Sequence, residues 1–162
     1  MEIAIISDTH MPRGERRLPD DCLRRLRSAD LILHAGDICT LSVLAELRTH
    51  GEVVAVHGNV DDHEVRTALP EQRIVEAGQT TIGMVHDAGP RAGRLERLRR
   101  WFPSADAVVF GHSHLPLHER EPDGFQIFNP ASPTERRRAP EHTMGIATVD
   151  GGKLTFDLVK LG

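Results

Sequence analysis

Short apolar runs recur along the chain and alternate with amphipathic stretches. Ile3–Ile6, Leu31–Leu33, Val53–Val56 and Ala107–Phe110 are apolar throughout, as expected of strands buried on both faces. Between them lie helical patterns. Pro19-Asp20-Asp21 opens a predicted helix to Ser28, with Cys22, Leu23 and Leu26 on one face. Thr40 is placed to cap a second helix that reaches about His50, buries Val43, Leu44 and Leu47, and stops at Gly51. Asp61–Ala68 predicts a short helix ended by Pro70, and Arg91–Phe102 a helix with a solvated arginine face, followed by Pro103. Ile74-Val75 and Thr81–Val85 read as strands about a turn at Gly78. From residue 116 onward the pattern turns to short strands at Leu117–Glu119, Phe125–Phe128, Met144–Val149 and Lys153–Val159. The last two are joined as a hairpin by Asp150-Gly151-Gly152. Strand–helix alternation followed by strands predicts an α/β fold with parallel and antiparallel parts. No repeat, linker or low-complexity segment interrupts it, so residues 1–162 are expected to form one domain.

Each buried run is followed by the same kinds of residue. Ile3–Ile6 leads into Ser7-Asp8-Thr9-His10, Leu31–Leu33 into His34-Ala35-Gly36-Asp37, and Val53–Val56 into His57-Gly58-Asn59-Val60-Asp61. Ile82–Val85 leads into His86-Asp87, and Ala107–Phe110 into Gly111-His112-Ser113-His114. Taken singly, each is an ordinary turn or surface group. Five strand ends together are organised. Ligands gather beyond the carboxyl ends of strands in α/β sheets, so Asp8, His10, Asp37, Asn59, His86, His112 and His114 are expected to share one crevice. Asp8-x-His10 and His112-x-His114 are expected to point their side chains the same way if extended. Gly36, Gly58 and Gly111 permit sharp turns and close approach. Seven oxygen and nitrogen ligands exceed what one ion needs. They suit two divalent ions about 4 Å apart, the arrangement that clamps both oxygens of a phosphoryl transfer.

Composition narrows the reading. Cys22 and Cys39 are the only cysteines and form no CxxC pair, which argues against a thiolate zinc site and points to a reducing, cytoplasmic setting. Mn²⁺ is the first choice of metal, with Fe²⁺, Zn²⁺ or Ni²⁺ as alternatives. A net charge of −4 gives no basic excess for nucleic acid. The apolar run that opens the chain is too short for a signal peptide or membrane span.

In the order Asp8-x-His10, Gly36-Asp37, Gly58-Asn59-x-Asp61, His86 and Gly111-His112-x-His114, the chain resembles the calcineurin-like metallophosphoesterase superfamily. It is most similar to the small branch of YfcE-like phosphodiesterases. Asn129-Pro130-Ala131-Ser132 resembles that branch's Asn-Pro-Gly-Ser segment, with Ala131 in place of glycine. The resemblance implies a four-layer αββα sandwich of two mixed sheets flanked by helices. It places Asp8, His10 and His114 on one metal, Asn59, His86 and His112 on the other, and Asp37 as the bridge. A hydroxide shared by the ions would attack phosphorus, with Asp37, Asn59 and His86 as the catalytic members. The expected activity is hydrolysis of a small phosphorylated molecule, most readily a diester.

Two positions depart from the pattern. Many relatives have a histidine directly after the asparagine, where this chain has Val60, and valine transfers no proton. Asp87 stands where a glycine commonly follows the metal-binding histidine. Asp61, His34 and His57 are candidates for orienting ligands from behind; His34 and His57 are also open as proton donors. Arg136–Arg138 could grip a phosphate or form a solvated basic turn. His50, His63, His118 and His142 belong to no motif and are read as surface or packing histidines. A scaffold role, as in the retromer subunit of the same fold family, is the competing reading. A DNA-repair nuclease fits less well, given the short chain and its charge. Homo-oligomerisation is left open.

Overall fold

The computed structural model describes all residues 1–162. Ten strands, β1 (Glu2–Ile6), β2 (Leu31–His34), β3 (Val53–Ala55), β4 (Gln72–Ala77), β5 (Thr80–Val85), β6 (Ala107–Val109), β7 (Leu117–Arg120), β8 (Gln126–Asn129), β9 (His142–Asp150) and β10 (Lys153–Leu161), form two five-stranded sheets. The first has the order β10-β9-β1-β2-β3, with β1, β2 and β3 parallel and β9 and β10 antiparallel. The second has the order β4-β5-β6-β8-β7, with β5, β6 and β8 parallel and antiparallel strands at both edges. Four helices connect them: α1 (Asp20–Ser28), α2 (Leu41–Arg48), α3 (His63–Ala68) and α4 (Arg94–Trp101).

Side-chain alternation along the strands builds four layers. Ile3 and Ile5 of β1 face the second sheet and pack with Val75, Ile82, Met84, Val109 and Phe128. Ala4 and Ile6, on the opposite face, pack with Cys22 and Leu26 of α1, Val43, Leu44 and Leu47 of α2, and Val65 of α3. The outer face of the second sheet, through Val108, Phe110 and Ile127, packs against Leu98 of α4 and Phe102 just after it. The expected αββα sandwich is therefore present. It explains why these strands are apolar on both faces: one face meets the other sheet, the other meets helices.

Local chemistry sets the boundaries. The Thr40 hydroxyl accepts from the Val43 amide and starts α2 as expected. Asp62 caps α3 by accepting from Val65, so the helix starts at His63, two residues later than predicted. α4 begins at Arg94 rather than Arg91, and its arginine face is only partly solvated. Arg97 donates to the carbonyls of Ala88, Pro90 and Ala92, and Arg94 to that of Gly89, so both fold back over the loop after His86. The edge strand β4 is longer than its Ile74-Val75 nucleus because β5 supplies pairing partners from Gln72 to Ala77.

Candidate metal centre

The parallel strands deliver their carboxyl ends to one side of the sandwich, where backbone hydrogen bonds splice the loops together. Asp8 donates its amide to Gly36 at 2.9 Å and His10 to Asp37 at 3.1 Å, which joins the loops after β1 and β2. The His112 amide donates to Asp8 Oδ2 at 3.1 Å and brings the β6 loop across from the second sheet. One feature departs from expectation. Asp8, His10, Asp37, His112 and His114 have φ between 46° and 72°, so neither histidine-bearing pair is extended. The chain leaves each sheet and curls through left-handed conformations, which cost energy and persist only where the surroundings hold them. As a result His112 and His114 diverge: His114 faces Asp8, and His112 faces Asn59.

Each carboxylate has one fixed oxygen and one presented oxygen. Asp8 Oδ2 accepts from Ser7 Oγ at 2.7 Å and from the His112 amide. Its Oδ1 lies 3.3 Å from His114 Nε2, 3.8 Å from His86 Nε2 and 3.9 Å from His10 Nε2. Asp37 Oδ1 accepts from the Val60 amide at 3.0 Å, while Oδ2 lies 3.1 Å from His86 Nε2 and 3.4 Å from His10 Nε2. The imidazoles are oriented from behind. His114 Nδ1–H donates to the Glu135 carbonyl at 2.6 Å and His86 Nδ1–H to the Ala35 carbonyl at 2.8 Å. In the neutral tautomer this leaves both Nε2 lone pairs aimed at the carboxylates. Asn59 Oδ1 sits 3.1 Å from both His86 Nε2 and His112 Nδ1 at the exposed rim.

Two groups with metal-binding geometry result: Asp8, His10 and His114, and Asp8, Asp37 and His86. Asp8 belongs to both, and Asp37 reaches His10 of the first as well as His86 of the second. Three atoms at the centre, Asp8 Oδ1, His10 Nε2 and His114 Nε2, are buried without hydrogen-bond partners. Orphaned buried polar atoms are costly, and a cation among them satisfies all three. Charge coupling points the same way. Burial would raise the Asp8 carboxyl, but the neighbouring His10, His114 and His86 imidazoles hold it well below the usual carboxylate range. Burial opposes the lowering of Asp37 too, and His10 and His86 overcome it. Burial pulls His10 down, yet Asp37, Asp8 and Glu135 push it up to about 9. The cluster pulls positive charge inward.

The supporting residues divide. Asp61 is buried and accepts the amides of Asp37, Cys39 and Gly58, so it locks the β2 loop to the β3 loop through backbone. His34 accepts from the Gly36 amide at Nδ1 and therefore donates from Nε2 to Thr9 Oγ1 at 3.0 Å. Both act on loop framework rather than on ligand side chains. His57 is not behind the ligands; it lines a cleft of about 190 Å³ with Asn59, Arg66, Glu71 and Asp87. Asp87 accepts from the Gly89 amide and shapes its own turn. Arg136 donates to the Pro140 carbonyl, and Arg136–Arg138 are exposed. His50 meets Arg27 at the surface, and His118 packs edge-on to Phe128 and Phe156.

Sequence reasoning missed Glu135. Its carbonyl orients His114, and its carboxylate lies 3.6 Å from His10 Nδ1 and 3.0 Å from Arg16. The available signal was Asn129–Ser132 just before it. Ser132 Oγ donates to the Asp8 carbonyl at 2.8 Å and accepts the Glu135 amide at 2.8 Å, which seats Glu135 behind the histidines. Ala131, where the resemblance puts a glycine, has φ 60°, a conformation that glycine adopts at less cost.

His34 gives this framework a pH dependence. Burial lowers its imidazole to about 4, below the unfolded value of about 6.5. The unfolded chain therefore takes up a proton first as pH falls. Stability is full above pH 6.5 and declines as pH falls toward 4. His10 and His86 are shifted upward, so their contributions change above pH 6.5; those of Asp8 and Asp37 change below pH 4. Urea midpoints of metal-free protein between pH 7 and 4 should show this loss, and His34→Gln should flatten it. An unaltered slope in the variant would remove His34 as the cause.

Residues 1–152 match the calcineurin-like phosphoesterase superfamily domain. A probable metallophosphoesterase of Methanothermobacter thermautotrophicus is 34% identical over 164 residues, covering 100% of this chain and 94% of that protein. A Thermotoga maritima protein solved by NMR superposes with a TM-score of 0.78 at 30% identity, covering 99% of each chain. Vps29 of Chaetomium thermophilum superposes at 0.84 and 20% identity, covering 100% of this chain and 86% of that one, a likeness of fold. With its sandwich, its strand-end ligands and these relatives, the chain belongs to the calcineurin-like phosphoesterase superfamily.

Proposed function

We propose that the protein is a metal-dependent phosphodiesterase acting on a small phosphorylated molecule. The observation that carries this is the convergence of two potential metal groups on shared carboxylates, with three buried ligand atoms that lack any other partner. Asp8, His10 and His114 would hold one divalent ion, and Asn59, His86 and His112 the other, with Asp37 between them. The mixed imidazole and carboxylate set suits Mn²⁺ first, then Fe²⁺, Zn²⁺ or Ni²⁺. Bound there, such ions supply a water nucleophile of lowered pKa and neutralise phosphoryl charge. The chain's own part is positional. Val60 and Ser7 each fix one carboxylate oxygen, Ala35 and Glu135 fix the imidazole tautomers, and Asn59 Oδ1 at the rim lies beside His86 and His112. Val60 offers no proton at the position beside Asn59, so diesters with good leaving groups are expected to react fastest. Free, buried Cys22 and Cys39 support a reducing compartment such as the cytoplasm.

The test is elemental analysis of purified protein, paired with turnover of bis(p-nitrophenyl) phosphate with added Mn²⁺ and with chelator. About two metals per chain and chelator-sensitive turnover are expected. Metal without turnover would favour the scaffold reading, and neither metal nor turnover would defeat both. Glu135→Gln keeps the carbonyl bond to His114 but removes the charge beside His10. It is expected to weaken metal binding about 10- to 100-fold, measured by competition with a chromogenic chelator. Unchanged affinity would show that Glu135 only holds Arg16.

A further inference from the structure

Beside the His112–His114 loop lies a cleft of about 260 Å³ lined by Arg91, Arg94, Ser113, Leu115, Pro116 and Leu117. Its two walls both grow out of the candidate metal ligands. One is the loop that follows His86 and runs into the first turn of α4, carrying Arg91 and Arg94. The other is the continuation of His112-Ser113-His114 into Leu115–Leu117. Ser113, which stands between His112 and His114, lines the cleft, so the cleft adjoins the loop that carries two of the candidate ligands.

No carboxylate forms an ion pair with the cations in this cleft. Arg94 stacks over the Phe110 ring at 5.1 Å and gives one amino group to the Gly89 carbonyl, while its Nε is buried with no partner. Arg91 is exposed. None of the chain's arginine or lysine ion pairs involves Arg91, Arg94 or Arg97. Burial and the Arg97 charge pull Arg94 below the usual guanidinium value, against Glu119 and Asp87. Arginines held this way, one of them stiffened by an aromatic ring, are suited to bidentate recognition of phosphate. The Leu115 side chain, 44% exposed, adds an apolar surface for the carrier between two phosphates. The volume is just below the roughly 300–1,000 Å³ of small-molecule sites, which fits one small group.

We propose that this cleft is a second phosphate subsite: Arg91 and Arg94 bind a phosphate that the substrate carries beyond its scissile ester. The protein then prefers substrates with two phosphates to those with one. This rests on the phosphodiesterase reading of the metal cluster, and the experiment separates the two. Calorimetry on Mn²⁺-loaded protein compares thymidine 3′,5′-bisphosphate with thymidine 5′-phosphate. Turnover compares the p-nitrophenyl ester of thymidine 5′-phosphate with and without a 3′-phosphate. The second phosphate is expected to improve affinity about 10-fold or more. Arg94→Gln and Arg91→Gln should each reduce that ratio, and together abolish it. A ratio between two ligands is insensitive to a partly unfolded sample, and Arg91, being exposed, carries the test should Arg94→Gln fold poorly. Equal affinity for the two ligands in the unaltered protein, or a ratio retained in the double variant, overturns the subsite. An intact ratio with no turnover of either ester overturns the phosphodiesterase reading and leaves the subsite standing.

Discussion

Asp37→Asn is expected to lower diester turnover by about 1,000-fold or more, ~4 kcal/mol of transition-state stabilisation, and to reduce bound metal below two equivalents. The substitution is nearly isosteric. A side-chain oxygen can still accept the Val60 amide at the 3.0 Å position, so the loop after β2 keeps its anchor. What changes is the other end of the group. The oxygen between His10 and His86, at 3.4 and 3.1 Å, becomes an amide NH₂ that cannot ligate a cation and meets two imidazole edges. The same change has a readout that needs no activity. Burial lowers His10, and Asp37 is the first of the groups that raise it to about 9. With the carboxylate gone, the His10 resonance in NMR spectra of metal-free protein should titrate at lower pH. Full turnover with two bound metals would remove Asp37 from the bridging position, and an unmoved His10 titration would contradict the geometry.

Much of this centre was visible as residue types at strand ends. Apolar runs such as Ile3–Ile6 fix where each strand stops, and parallel strands place those stops on one side. The αββα layering was implied by the resemblance; the runs themselves require only that a strand apolar on both faces be covered on both. What was not visible is how the ligands are aimed. Nothing in Asp8-x-His10 or His112-x-His114 announces left-handed backbone at non-glycine residues, because tertiary hydrogen bonds such as His112 N–H to Asp8 Oδ2 impose it from 104 residues away. Glu135 escaped for a related reason. Its service to His114 is a backbone carbonyl, which carries no residue-type signal. The arginines of α4 read as solvated because local pattern cannot show that Arg94 and Arg97 have carbonyls of the 88–92 loop to return to.

The close packing of these loops leads to the second large effect. Gly58→Ala is expected to cost metal and turnover together, although the residue offers no ligand atom. A Cβ there would sit 2.1 Å from Asp37 Oδ1 and 2.6 Å from the Asp37 amide nitrogen. Rotating the carboxylate relieves the first clash, though it gives up the Val60 hydrogen bond; the second is with backbone and requires a loop to move. Movement is resisted, because the Gly58 amide is held by Asp61 Oδ2, which also holds the Asp37 amide. Overpacking of this kind typically costs about 1–3 kcal/mol, and here the strain falls on the proposed bridging carboxylate. Turnover is expected to fall about 100-fold, in line with the sensitivity of catalytic geometry to displacements near 1 Å. Gly83→Ala is the matched comparison: its Cβ would lie 2.6 Å from the Phe102 ring on the far face of β5, a clash of similar severity against the α4 layer. Both variants should lose thermal stability to a comparable degree, but only Gly58→Ala should lose metal. Equal metal loss in both would mean that the site fails whenever the sandwich is strained. Retention in both would mean that the Asp37 loop yields to a methyl group without moving its carboxylate, and that the positional precision assigned to it is not needed.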